Sequence, residues 1–117
     1  MQALLVEDDE AVVEHIELCL TRLGYKVTIA RDGMAALQCC REQVFDWVVC
    51  DVRMPRLNGI SFNRNVRPML LTAAPRIVVI AAMDDNVVKS EAMSAGAEAF
   101  LLKPVSMQML NAVLGEG

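Results

Sequence analysis

Five short β-rich runs alternate with longer helical patterns along this chain, and that alternation leaves few folds open. The runs cover residues 3–6, 25–30, 46–51, 76–82 and 99–102. Three of them are nearly continuous stretches of valine, isoleucine and leucine, the pattern of strands covered on both faces. Val12, Val13, Ile16, Cys19, Leu20 and Leu23 recur at helical spacing, and Gly24 stops that helix. Asp32 is placed to cap a second helix carrying Ala35, Ala36, Leu37 and Cys40. Residues 59–67 fit a third, broken near Pro68, which disfavours helical geometry at Arg67, with an irregular segment at 69–73. Asp84 or Asp85 would cap a fourth over Val87, Val88, Ala92 and Met93, ended by Gly96, and Ser106 a fifth over Met109, Leu110 and Val113. A strand followed by a helix, five times over, predicts an α/β fold. Right-handed crossovers would place helices on both faces of a doubly wound, five-stranded parallel sheet.

Composition narrows the function classes. At 117 residues the chain predicts one domain with a core that needs no disulfide or metal staple. A net charge of -4 and a pI near 4.9 argue against direct nucleic-acid binding by this segment, because phosphate backbones attract basic stripes. The longest apolar runs have six or seven residues, far short of the ~20 that cross a bilayer. No charged-then-apolar leader opens the sequence, so the expected location is cytoplasmic and no membrane partner is expected. Cys19, Cys39, Cys40 and Cys50 contain no C-x-x-C, and Cys39-Cys40 is poorly shaped to bridge. They read as reduced thiols used as small hydrophobes. The single histidine, His15, falls at the edge of an apolar helical face and receives no catalytic role.

In such sheets the functional crevice lies at the carboxyl ends of the strands. Glu7, Asp8 and Asp9 follow the first run, Asp51 ends the third, Ala81 and Ala82 end the fourth, and Lys103-Pro104 follow the fifth. Acidic groups from two strands and a lysine from another therefore converge. Two carboxylates ~5 Å apart repel by roughly 3 kcal/mol at an effective dielectric of 20, so a cation or an ammonium must compensate. Hard oxygen ligands favour Mg²⁺ or Mn²⁺ over zinc. The same set suits phosphoryl transfer, with a carboxylate as nucleophile toward phosphorus. Asp51 is the candidate nucleophile, Glu7 and Asp8 the cation holders, and Lys103 the contact to a phosphoryl oxygen. Asp9 reads as a solvated helix start.

From Leu4 to Leu114 the sequence resembles a response-regulator receiver domain, the phosphoacceptor module of two-component signalling. The resemblance is carried by Leu4-Leu5-Val6-Glu7-Asp8-Asp9, by Asp51-Val52-Arg53-Met54-Pro55-Arg56-Leu57-Asn58-Gly59 and by Ala97-Glu98-Ala99-Phe100-Leu101-Leu102-Lys103-Pro104. It implies a flavodoxin-like (βα)5 fold, phosphorylation of Asp51, and an acidic pair formed by Glu7 and Asp8. It also implies Mg²⁺ held with help from the Arg53 backbone carbonyl, with Mn²⁺ as the substitute. The phosphoryl donor would be a sensor histidine kinase or a phosphotransfer protein. A second copy or an output domain outside this chain would dock on the face of the fourth helix, fifth strand and fifth helix. That face includes residues 87–95, Phe100 and residues 106–114. The bond from Lys103 to Pro104 is cis in many relatives.

Two switch positions vary on the family pattern. The fourth strand of receivers usually ends in threonine or serine, whose hydroxyl bonds a phosphoryl oxygen; here the position is Ala81. A hydrogen bond to a charged group is worth roughly 1.5–3 kcal/mol, comparable with a typical allosteric coupling of about 1–3 kcal/mol. Phe100 stands where a switch tyrosine or phenylalanine is common, and it lacks a hydroxyl for the moving loop. The expectation is a phosphoacceptor with a weak or rerouted conformational response. The competing expectation is an interaction module that works without phosphorylation, which Ala81 favours and the intact acidic and lysine set opposes. A flavin carrier or small α/β enzyme is disfavoured, because acids stand where a phosphate-cradling glycine loop would.

Overall fold

Strand β1 (Gln2–Val6), β2 (Lys26–Ala30), β3 (Trp47–Asp51), β4 (Arg76–Ala81) and β5 (Ala99–Leu102) form one parallel sheet in the order β2-β1-β3-β4-β5. The computed structural model describes residues 1–52, 75–82 and 86–115. Within them lie helices α1 (Glu10–Arg22), α2 (Gly33–Glu42), α3 (Asn86–Ser94) and α4 (Met107–Leu114). The expected helix at 59–67, the irregular segment at 69–73 and the caps Asp84 and Asp85 fall outside the described residues. The expected five-stranded, doubly wound sheet is the fold observed.

The sheet sorts its side chains by parity, because successive residues of a strand point to opposite faces. Ala3, Leu5, Trp47, Val49, Val78 and Ile80 meet Val13, Ile16 and Leu20 of α1 and Leu110 and Leu114 of α4. Leu4, Val6, Val48, Cys50, Ile77, Val79 and Ala81 meet Ala36, Leu37 and Cys40 of α2 and Ala92 of α3. Strand β3 is buried along its whole length, whereas the edge strand β5 is half-buried throughout. That is why β3 reads as an uninterrupted apolar run up to Asp51.

The caps follow the sequence closely. Asp9 accepts from the Ala11 and Val12 amides, Asp32 from the Ala35 amide and Ser106 from the Met109 amide. Past the end of α1, Gly24 takes a φ of 95°, a left-handed geometry that glycine adopts without strain. Tyr25, expected at the start of β2, instead lies one residue before it. Its ring is buried and its hydroxyl donates to the Leu114 carbonyl at 3.0 Å, tying the end of α4 to the sheet.

One expected apolar face is narrower than its sequence suggests. Along α3, Val88 packs on the core and Ala92 is fully buried, but Val87 is 67% and Met93 42% exposed. At about 100° per residue, Val88, Ala92 and Ala95 share a side, and Val87 and Met93 point away from it.

Candidate functional site

Parity and register together bring the acidic and basic residues to one place. Glu7 continues the series 3, 5, 7 of β1, Asp51 the series 47, 49, 51 of β3, and Lys103 the series 99, 101, 103 of β5. All three series belong to the face covered by α1 and α4. Val6 pairs with Cys50, so Glu7 and Asp51 are neighbours at the carboxyl edge of the sheet. The Glu7 amide donates to the Ala30 carbonyl at 3.1 Å, extending the ladder to β2 by one residue. On the other side, the Lys103 amide donates to the Ala81 carbonyl at 2.8 Å, and the Lys103-Pro104 bond is cis.

The Lys103 ammonium lies 2.5 Å from Asp51 Oδ2 and 3.0 Å from Glu7 Oε2. The Glu7 side chain is 1% exposed, Asp51 9% and Lys103 20%, so this charge cluster is largely removed from water. Glu7 Oε1 folds back to accept the amides of Asp8 at 3.2 Å and Asp9 at 3.1 Å. Glu7 Oε2 is sealed from solvent with no aligned hydrogen-bond donor; its contact with Lys103 is an ion pair without hydrogen-bond alignment.

The electrostatics follow from burial and proximity. Burial pushes the Glu7 carboxyl up to about 7, and the nearby Asp51 carboxylate adds to the rise; the Lys103 ammonium and the Asp9 amide offset only part. Burial alone would lower Lys103, but its hydrogen bond to Asp51 and its closeness to the Glu7 carboxylate outweigh that and hold it above the usual lysine value. Among the described residues, the two carboxyl groups are in excess over the one ammonium set against them. That excess, the sealed Oε2 and the hard oxygen donors fit a divalent cation that takes one or two carboxylates and keeps several waters. A dense all-protein cage is not what is present: among the described residues no group of three or more His, Cys, Asp or Glu side chains is arranged to hold a metal ion.

The remaining candidates are spread around this cluster. Asp8 is exposed in the turn after Glu7. Arg53 lies outside the described residues, as do Met54, Pro55, Asn58 and Gly59. Ala81 closes β4 with its methyl group buried on the opposite face of the sheet, in the cluster against which half-buried Phe100 also packs. All four cysteines are free. Burial pushes Cys39 up, Cys40 up to about 11 and Cys50 higher still, so these thiols are poor nucleophiles and poor metal ligands. The contact that sequence reasoning missed is His15, whose Nε2 lies 2.6 Å from the Val105 carbonyl oxygen. The partners are 90 residues apart, and no local signal in the sequence joins them.

Comparison with known proteins places this geometry in context. A sequence model of the response regulator receiver domain matches residues 3–114. The transcriptional regulatory protein AfsQ1 of Streptomyces coelicolor is 35% identical over 109 residues, covering 93% of this chain and 47% of that protein. The chain thus spans about half the length of that relative. The receiver domain of the sensor histidine kinase PA1611 from Pseudomonas aeruginosa, solved with a magnesium ion coordinated in the active site cleft, superposes with a TM-score of 0.88 at 30% identity, covering 98% of this chain and 94% of that one. The chemotaxis protein CheY4 of Vibrio cholerae superposes with a TM-score of 0.89 at 28% identity, covering 98% of this chain and 96% of that one.

Proposed function

This chain belongs to the response regulator receiver domain family of two-component signalling, and we propose that it accepts a phosphoryl group on Asp51. The observation that carries the reading is the Lys103 ammonium held 2.5 Å from the Asp51 carboxylate at the carboxyl edge of the sheet. An Asp51 carboxylate oxygen attacks phosphorus, a P–O bond forms, and the P–N bond of a phosphohistidine donor breaks. The departing imidazole takes up a proton. Lys103 then follows a phosphoryl oxygen in place of the carboxylate and offsets the charge that develops on it. Attack of water on the acyl phosphate later returns Asp51 and releases inorganic phosphate. Glu7, Asp8, Asp51 and the Arg53 backbone carbonyl would hold Mg²⁺, or Mn²⁺ in its place, which when bound neutralises charge on the transferring group. The donor is a sensor histidine kinase or a phosphotransfer protein.

The output side of the reading is unusual. Ala81 has no hydroxyl with which to draw the loop after β4 toward a phosphoryl group. Phosphorylation therefore couples weakly, or by another route, to Phe100 and to the α3–β5–α4 face, where a second copy or an output domain docks. The chain is one receiver domain acting in the cytoplasm without direct nucleic-acid contact; among the described residues no helix is long and apolar enough to cross a membrane. Ala81 also favours a second reading, a module that binds its partner whether or not Asp51 is phosphorylated.

Acetyl phosphate with Mg²⁺, followed by intact mass, separates the two. One added phosphoryl group, abolished by Asp51→Asn, is the expected result. No adduct from acetyl phosphate or from a phosphorylated kinase would leave the contact-only module.

A further inference from the structure

Among the described residues, two main-chain contacts flank the proline in the segment that delivers Lys103 to the cluster. Pro104 has no amide hydrogen. Lys103 is anchored through its own amide to Ala81 at the end of β4. On the other side of the proline, the Val105 carbonyl meets His15 Nε2 at 2.6 Å. A carbonyl only accepts, so Nε2 carries the proton and donates. The Cys19 thiol, 3.9 Å from the same nitrogen, is a looser neighbour.

His15 stands on α1, and α1 is itself tied to the site. Glu7 Oε1 holds the amides of Asp8 and Asp9, and Asp9 caps the helix. A closed circuit results. It runs from Glu7 through Asp9 into α1, out through His15 to Val105, back along the chain to Lys103, and through the ammonium to Glu7 and Asp51. We infer that His15 is a positioning residue for Lys103: by holding the Val105 carbonyl it fixes the segment from which the ammonium reaches the two carboxylates. Its consequence for phosphoryl transfer rests on the proposed role of Asp51; its consequence for the Lys103 side chain does not.

The test compares His15→Leu, which removes the donor and keeps a good helix former, with His15→Gln, whose amide nitrogen can still donate to the carbonyl. Two quantities are read on the intact chain. One is the side-chain Nζ and Cε resonance pair of Lys103, without phosphodonor. The other is the rate of acetyl phosphate labelling with Mg²⁺. In His15→Leu the Lys103 resonances should move, and labelling should slow by about three- to tenfold, the scale of a sub-ångström misplacement near the chemistry. His15→Gln should restore both. Lys103 resonances unchanged in His15→Leu, or displaced equally in both variants, would overturn the inference. If wild type takes no phosphoryl group, the reading of Asp51 fails by itself and the Lys103 resonances still decide the role of His15. His15→Ala replaces the leucine variant if that one does not fold.

Discussion

Glu7 and Asp51 stand side by side at the ends of adjacent parallel strands and both face the Lys103 ammonium. Nearly all of the Glu7 side chain is out of water, and among the described residues one of its oxygens meets the Lys103 ammonium without an aligned hydrogen bond. Burial and the shared ammonium together set the charge balance of this cluster.

Glu7 should make folding stability fall as pH rises in metal-free buffer. Its carboxyl is raised from 4.5 to about 7 in the folded chain. The folded state therefore keeps a proton that the unfolded state gives up. The stabilising contribution is complete below 4.5 and is lost as pH rises through about 7. Glu7→Gln removes the titration, so it should be the more stable chain at pH 8, by of order 2 kcal/mol, with the difference shrinking toward pH 5. Urea unfolding of both chains across that range, with EDTA present, checks the sign.

Lys103→Met should lower stability and phosphorylation together. Without the ammonium, two buried carboxyls face each other, and breaking such a pair costs about 3 kcal/mol when fully buried, less here because Lys103 keeps some solvent. The rate of acetyl phosphate labelling should drop on the order of 100-fold, the usual effect of removing one group that stabilises a transferring oxyanion. Urea melts and intact-mass kinetics on the same preparation measure both effects.

Ala81→Thr should strengthen the response to a phosphoryl mimic. The wild-type chain with beryllofluoride and Mg²⁺ should show small amide shifts at Val87, Val88 and Phe100. The threonine variant should show larger ones, because its hydroxyl adds the missing bond. Ala81 is only 3% exposed, so the added atoms should also destabilise the chain by about 1–3 kcal/mol. Equal shifts in the two chains would show that the response runs by a route independent of this position.

Arg76→Ala should affect stability and leave the chemistry alone. The guanidinium lies 4.4 Å from the centroid of the Trp47 ring and 3.7 Å from Glu98, at the amino end of the strands. The salt bridge is half exposed and worth little, so the loss should be about 1 kcal/mol, mostly from the ring contact. Trp47 is the single tryptophan, so its emission follows unfolding directly. Acetyl phosphate labelling should proceed at the wild-type rate.

Much of this was legible in the residues, because it depends on short-range rules. Short β-rich, apolar runs marked the strands, and Asp9, Asp32 and Ser106 marked helix starts through side chains that can bond only nearby amides. The candidate cluster was legible for a related reason: in a parallel sheet every strand ends on the same edge, so the residues after Val6, Cys50 and Leu102 had to approach one another. What the sequence could not carry was orientation and partnership. Val87 and Met93 lie in an apolar stretch, yet the phase of α3 against the sheet turns them to solvent. Ala81 ends the strand whose neighbours bear the charges, yet parity buries its methyl group on the other face.

The sequence by itself therefore determined the order of the described strands and helices, the edge of the sheet where the acidic and basic residues gather, and the residue types that gather there. Only the tertiary structure decided that Lys103 serves two carboxylates at once, that Glu7 turns one oxygen to the Asp8 and Asp9 amides while the other is sealed from solvent, and that His15 reaches Val105 across 90 residues. The physical reason is range. Propensity and periodicity act over a few residues, whereas charge compensation, desolvation and the satisfaction of a buried carbonyl depend on which distant atoms the packed sheet brings within about 3 Å.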